Sequence, residues 1–392
     1  MKSKKVLAVL FLVMFFVMVG FGIIIPVLPF YAEELGASPL ALGLLMATYS
    51  VMQFLFSPMW GRISDKIGRK PVLLIGIAGL ALSFFLLATA NQLWMLFAAR
   101  IIGGLLSSAN MPTVTAYVAD ITTEEDRGKG MGIIGAAVGL GFIFGPAIGG
   151  VFSSGNLAIP FYLSGISSLI TFALVAIVLR ETRPEKAEQV TAPAKRRSLL
   201  KALKTPMAYL YVLQWFVSVS LAGLEATFAY FAFDRAGLGT VELGYIFMIM
   251  GLAGAIVQGG LVGQLTKRLG EGKVIQIGVI VSAIGFALIL FVQDFLTAAI
   301  FLTIFGLGNG LIRPSVSSLL TKKATSGYGE VTGMLSSFDS LGRIIGPPLG
   351  GFLYGVAIIL PYVAGIILSV LALGIYYLYL RQNESNSKLA HQ

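Results

Sequence analysis

Five ionisable side chains fall inside stretches otherwise fit for a lipid interior: Arg100, Glu225, Arg313, Asp339 and Arg343. Charge at membrane depth is costly and usually functional. Glu225 stands in the middle of Leu221-Ala-Gly-Leu-Glu225-Ala-Thr-Phe228, with no cation three or four residues away. Taking a carboxyl out of water disfavours its charged form, so this position suits a group that takes up and releases a proton near neutral pH. The competing reading is a fixed counterion for Arg100. Asp339 and Arg343 are four apart on one helix face and can neutralise each other. A second proton site is the alternative for Asp339. Arg313 precedes Pro314 in another apolar run.

Such residues need elements that hold them at depth. The chain has 392 residues, 57% hydrophobic and 12% charged, against roughly 25% charged in soluble domains. Its mean hydropathy is +0.88. A span takes about 20 apolar residues, and the length holds twelve with short connections. Strand alternation is absent, so the expectation is an all-α membrane protein. The expected spans include the second over 40–60, the third over 71–90, the fourth over 93–118 and the eighth over 241–265. The first apolar run, after Lys2, Lys4 and Lys5, is too long for a cleaved leader and reads as a retained helix.

Several chemistries are excluded. There is no cysteine, and the only histidine is His391 near the end. No Cys-based metal site, disulfide framework or acyl-transfer triad can be built. No Gly-rich phosphate loop ending in Gly-Lys-Ser/Thr occurs, so this chain does not hydrolyse ATP. It reads as a non-enzyme without cofactor, driven by an ion gradient. The net charge of +10 sits in the N-terminus, the C-terminal tail and alternate loops, with only Arg235 in a loop on the other side. That pattern places both termini in the cytoplasm of a cell membrane. No contiguous basic face with exposed aromatics suggests nucleic acid.

One pattern occurs twice. Gly141-x-x-x-Gly145-Pro146-x-x-Gly149-Gly150 returns 201 residues later as Gly342-x-x-x-Gly346-Pro347-x-x-Gly350-Gly351. Small residues let membrane helices approach closely. The stretch Gly61-x-x-x-Asp65-x-x-Gly68-Arg69-Lys70 has a degenerate partner in Gly263-x-x-x-Lys267-x-x-Gly270, and Pro112 and Pro314 share that spacing. The chain therefore reads as two pseudo-symmetric six-helix bundles, 1–180 and 206–392, joined by a basic cytoplasmic linker, 181–205. Parallel halves with a midplane site between them describe a secondary transporter.

At these residues the sequence resembles the major facilitator superfamily, and within it the twelve-helix drug:proton antiporters of Gram-positive bacteria (the Bmr and NorA group). The resemblance rests on Gly20-Phe-Gly-Ile-Ile-Ile-Pro26-Val27-Leu-Pro29, on Gly61 to Lys70, on Arg100 with Gly103 and Gly104, and on Gly141 to Gly150. It covers essentially the full length. It implies an acid in the seventh span that couples proton flow, which is Glu225 here. It implies that Asp65 seats against the start of the eleventh helix while the loop arginine, Arg69, meets an acid closing the fourth, which is Asp120. The 61–70 loop would then latch the outward-open state; the plainer reading is a basic loop that sets topology. The resembled group tends to carry an acid four residues before Arg313, where this chain has Asn309, so a strict preference for cationic cargo is not implied.

Tyr49, Gln53, Phe56 and Trp60 recur at helical spacing, and Met111 and Phe228 could face the same space. As a set they suit a broad apolar pocket with few polar anchors; singly they suit packing. The cavity expectation comprises Arg100, Glu225, Tyr49, Gln53, Met111, Phe228, Asn309 and Arg313. The function expected is export of small amphipathic molecules, multiple drugs among them, in exchange for protons, by a monomer that rocks between inward- and outward-open states. A nutrient symporter, a lipid flippase and a non-transporting receptor are the alternatives.

Overall fold

A computed structural model of the chain describes residues 2–182, 205, 207–323 and 328–389. Among these residues every regular element is a helix. The helices are α1 (Lys2–Glu34), α2 (Pro39–Ile67), α3 (Arg69–Ala88), α4 (Leu93–Ile121), α5 (Glu124–Ser153) and α6 (Ile159–Val178). There follow α7 (Ala208–Ala236), α8 (Thr240–Leu269), α9 (Glu271–Ile289), α10 (Phe295–Lys323), α11 (Tyr328–Val356) and α12 (Leu360–Leu389). Eleven are long and apolar enough to cross a membrane. The exception is α11, whose 29 residues include Asp339, Arg343 and several Pro and Gly that dilute its apolar content. With twelve helices in alternation, the start of α1 and the end of α12 lie at one end of the bundle, here the terminal end; the other is the far end.

The local signals that start and stop these helices are conventional. Ser38 caps α2 by accepting from Ala41 N, with Pro39 at the first helical position. Thr123 caps α5 by accepting from Asp126 N, and three acids in the first turn favour the positive end of the helix dipole. Gly237 closes α7 with φ 64°, a left-handed conformation that glycine adopts without strain.

Three spans depart from expectation. The α2 helix does not stop near residue 60 but continues to Ile67, so most of the supposed 61–70 loop is helical. The α4 span is broken at Ser108–Ala109. The α8 span contains a π-helical segment, Val257–Leu261, which carries Gly259 and Gly260. One residue too many for α-geometry is accommodated there as a bulge.

The packing repeats within the chain. In the first half α1 lies against α5, α2 against α4, and α3 against α6. In the second half α7 lies against α11, α8 against α10, and α9 against α12. Between the halves the main seams are α2 with α11 and α5 with α8. The expected linker lies outside the described residues except for Glu181, Thr182 and Thr205.

Candidate functional site

Four of the five intramembrane charges form two ion pairs, and neither is the expected one. Arg343 Nη1 on α11 lies 3.8 Å from Glu225 Oε2 on α7. Arg313 Nη2 on α10 lies 2.9 Å from Asp339 Oδ2 on α11, an ion pair rather than an aligned hydrogen bond. Asp339 therefore does not pair with Arg343 four residues on, and Glu225 is not the counterion of Arg100. The reason is the α7–α11 contact. Ser218 Oγ and Gln214 Nε2 on α7 donate to Asp339 Oδ1 at 2.6 and 2.8 Å, orienting its carboxylate towards α10 and away from its own helix. The acids are mostly buried, at 14% and 13% side-chain exposure, while Arg343 and Arg313 are 47% and 59% exposed. The cluster is thus an inward-pointing pair of acids with cations on the accessible side.

Arg100 stands apart in the first half. It is buried, its guanidinium carbon is 5.8 Å from the Tyr49 ring, and its Nε has no hydrogen-bond acceptor. Among the described residues it makes no ion pair. Tyr49 is itself held by Ser107 at 2.6 Å and by an edge contact with Phe21. A buried cation with only an aromatic face beside it still attracts negative charge, since unpaired charge in low dielectric is poorly compensated.

The expected cavity set does not converge. Phe228 is fully buried and packs edge-on against Phe247, so it belongs to the core. Tyr49 is 7% exposed and is likewise closed off. Trp60 is tied by its ring N–H to Leu105 O at 2.7 Å. Asn309 lines a small pocket between α7, α9, α10 and α12, with Ser220, Ser282, Phe305 and Ser369; none of the five intramembrane charges borders it. Met111 remains exposed and Gln53 half-buried. The periodicity that suggested a lining stripe reflects helix packing as readily, because both need one face.

The 61–70 stretch forms a bonded cluster at the terminal end. Arg69, although at the start of α3, is buried there. Its guanidinium meets Asp120 Oδ2 at 3.0 Å, Asp65 Oδ1 at 2.5 Å and Ser64 Oγ at 2.7 Å. Lys70 Nζ donates to Ala176 O at 2.6 Å. The turn glycine is Gly68, with φ 111°; Gly61 is helical, and a methyl group there would meet nothing nearer than Pro112 at 3.9 Å. Asp65 is 63% exposed and bonds to Arg69. Glu181, just past α6, was not anticipated: its carboxylate accepts from Arg69 N at 2.7 Å and Lys70 N at 3.1 Å, capping α3. An isolated acid after an apolar span carries no sequence signal for that role.

The duplicated Gly/Pro motif does two jobs. Gly145 packs on α1, where a methyl group would lie 2.7 Å from Gly22 Cα; Gly141 and Gly149 face α1 as well. Gly150 faces the other half, where a methyl group would lie 2.4 Å from Thr240 O. Pro146 presents its carbonyl to Gly244 on α8. The second copy repeats this: Gly351 approaches Pro39 O to 2.1 Å and Gly43 approaches Pro347 O to 2.2 Å on the same measure. Ser153 donates to Thr240 Oγ1 at 2.6 Å, and Tyr230 OH donates to Pro29 O at 2.9 Å, so the far end is sealed by bonds as well as contact. Nearer the terminal end, a methyl group on Gly128, Gly132, Gly135 or Gly139 of α5, or on Gly254, Gly259, Gly260 or Gly263 of α8, would meet nothing within 4 Å.

Comparison with known proteins gives a consistent answer. The Major Facilitator Superfamily profile matches residues 10–328 and 259–391. "Multidrug resistance protein 2" of Bacillus subtilis (strain 168) is 30% identical over 379 residues, covering 95% of each chain. "Quinolone resistance protein NorA" of Staphylococcus aureus (strain COL) is 28% identical over 363 residues, covering 91% of this chain and 92% of its own. Among solved structures, a bacterial homologue of the human lysosomal transporter Spinster, in an inward-facing and occupied conformation, superposes with a TM-score of 0.80 at 15% identity. It covers 96% of this chain and 97% of its own, and shares the fold.

Proposed function

This chain belongs to the Major Facilitator Superfamily, and on that premise we propose that it exports small amphipathic molecules, drugs among them, in exchange for protons. The observation that carries the reading is the closure of both seams at the far end. The halves meet there through Gly150, Gly244, Gly351 and Gly43, whereas glycines of α5 and α8 nearer the terminal end have no neighbour where a methyl group would sit. With the basic terminal end in the cytoplasm, this is an inward-open state. The two bundles, 1–180 and 206–392, are the bodies that rock.

In this cycle cargo enters from the cytoplasmic side, between the two halves, where the α7–α11 acids face it from the second half. Glu225 supplies the exchangeable proton site, because it is the mostly buried acid whose one ion contact is loose. Asp65, exposed and held in this state by Arg69, is one half of a latch. When the seams reopen outward, it can seat on the positive start of a helix across the divide, a contribution of about 0.3–1 kcal/mol. Moving one charge through about 100 mV supplies roughly 2.3 kcal/mol, enough to bias such an equilibrium. Names given to the relatives, multidrug and quinolone resistance, support the cargo class.

Ethidium efflux from cells, with and without a protonophore, tests the reading. Wild type should extrude the dye only while the gradient stands, and Glu225→Gln should reduce that extrusion at least tenfold with the protein still in the membrane. Gradient-driven efflux at full rate in Glu225→Gln would exclude the scheme.

A further inference from the structure

We propose that Arg343 changes partner during the cycle, leaving Glu225 for Asp339 when Glu225 takes up a proton. The inference rests on the antiport reading above and specifies how proton uptake moves a charge.

Four features support it. The Arg343–Glu225 contact is loose, at 3.8 Å, and the arginine is 47% exposed, so its side chain has room to turn. Asp339 is four residues earlier on the same helix, within reach of a guanidinium on that face, about 6 Å nearer the terminal end. Asp339 Oδ1 is committed to Ser218 and Gln214, whereas Oδ2 faces Arg313 without an aligned hydrogen bond and can accept a second donor. Finally, the repeated scaffold does not itself require charge at these places: the corresponding positions of the other copy are Val138 and Phe142.

The charges balance. Two acids and two arginines make the cluster neutral in the present state. A proton added to the Glu225 carboxylate leaves a net charge of plus one, with Asp339 between two guanidinium groups. Among the described residues Arg343 is the charged group that faces Glu225; α1, α2, α8, α10 and α12 contribute none in ion-pair contact. Asp339 is faced by Gln214 and Ser218 from α7 and by Arg313 from α10. In this account Arg343 and Asp339 are positioning residues that act through Glu225.

Infrared difference spectra of the purified protein in lipid, across a pH series, read carboxyl protonation without transport; Glu225→Gln identifies the band. Arg343→Gln should raise the midpoint of Glu225 protonation by about one pH unit or more, since one unit is a tenfold change in proton affinity. Asp339→Asn should lower it, because Arg343 loses its second partner. In the Arg343→Gln background Asp339→Asn should shift nothing. An equal shift from Asp339→Asn with and without Arg343 would show a remote charge rather than an exchange, and an unmoved midpoint in Arg343→Gln would also overturn the proposal. If Asp339→Asn alone does not fold, because Arg313 loses its counterion, the joint Arg313→Gln and Asp339→Asn change replaces it throughout the cycle. The titration stands whether or not ethidium is exported, so failure of the antiport reading is seen separately.

Discussion

The two halves of the molecule share a scaffold and differ in charge. Residues 138–150 of α5 and 339–351 of α11 carry the same four glycines and the same proline, and each copy packs on its own first helix and crosses to the other half at its last glycine. At the matching places Val138 answers Asp339, Phe142 answers Arg343, and Met111 answers Arg313. In the first half, Arg100 is the intramembrane charge and has Leu302 as its counterpart. What repeats is steric: close helix approach requires the absence of a side chain, and both bundles need it. What does not repeat is chemical: a site between two bodies needs its titratable groups only once.

The largest test of this comparison is to overfill both copies. Gly145→Leu and Gly346→Leu place side chains where even a methyl group would sit 2.7 Å from Gly22 Cα and 2.5 Å from Val219 O. Overpacking costs about 1–3 kcal/mol and sometimes more, and here the obstruction is backbone. Both variants should lose most folded protein, judged by the monodisperse fraction after detergent extraction. Loss in only one copy would break the equivalence.

A smaller effect separates packing within a half from packing across the seam. Gly150→Ala and Gly351→Ala obstruct only the seam between the halves, so folding should survive while the far end is wedged open. A shift of one to two kcal/mol changes the population of the closed state about five- to thirty-fold. Because the chain has no cysteine, a single Ser153→Cys reports it directly. Buried Ser153 should become open to a maleimide added from the far side in either alanine variant, and no gain in labelling would remove the seam from the mechanism.

The smallest effect sharpens the comparison within one motif. Gly61→Ala makes only an ordinary van der Waals contact with Pro112 inside a helix and should be neutral or stabilising by about 0.5–1 kcal/mol. Gly68→Ala meets the Glu181 carboxylate at 2.5 Å with φ at 111°, and should lower the thermal unfolding temperature. Equal effects at the two glycines would refute the assignment of the turn to Gly68.

Much of this was legible along the chain. Hydropathy marked the spans, and the two Gly/Pro motifs marked the close contacts, because span length and small-residue spacing are properties of a single helix. The Arg69–Asp120 pair was anticipated through family resemblance. The cap on α3 was not, since Glu181 meets that helix 112 residues away in sequence. Nor was the length of α2, which continues to a turn only Gly68 provides.

By itself the sequence determined that this is a membrane-spanning helical chain in two related copies, with its intramembrane charges concentrated in the second. Only the tertiary structure decided which charges meet. Along its own helix Arg343 has one acid a turn away, Asp339, and across helices it has Glu225; a pair within one helix is worth only a few tenths of a kcal/mol. The choice between them is made by Gln214 and Ser218 on a neighbouring helix, which hold Asp339 towards Arg313 and leave Arg343 to Glu225. Distances across helices, unlike spacings along one, exist only once the bundle is packed.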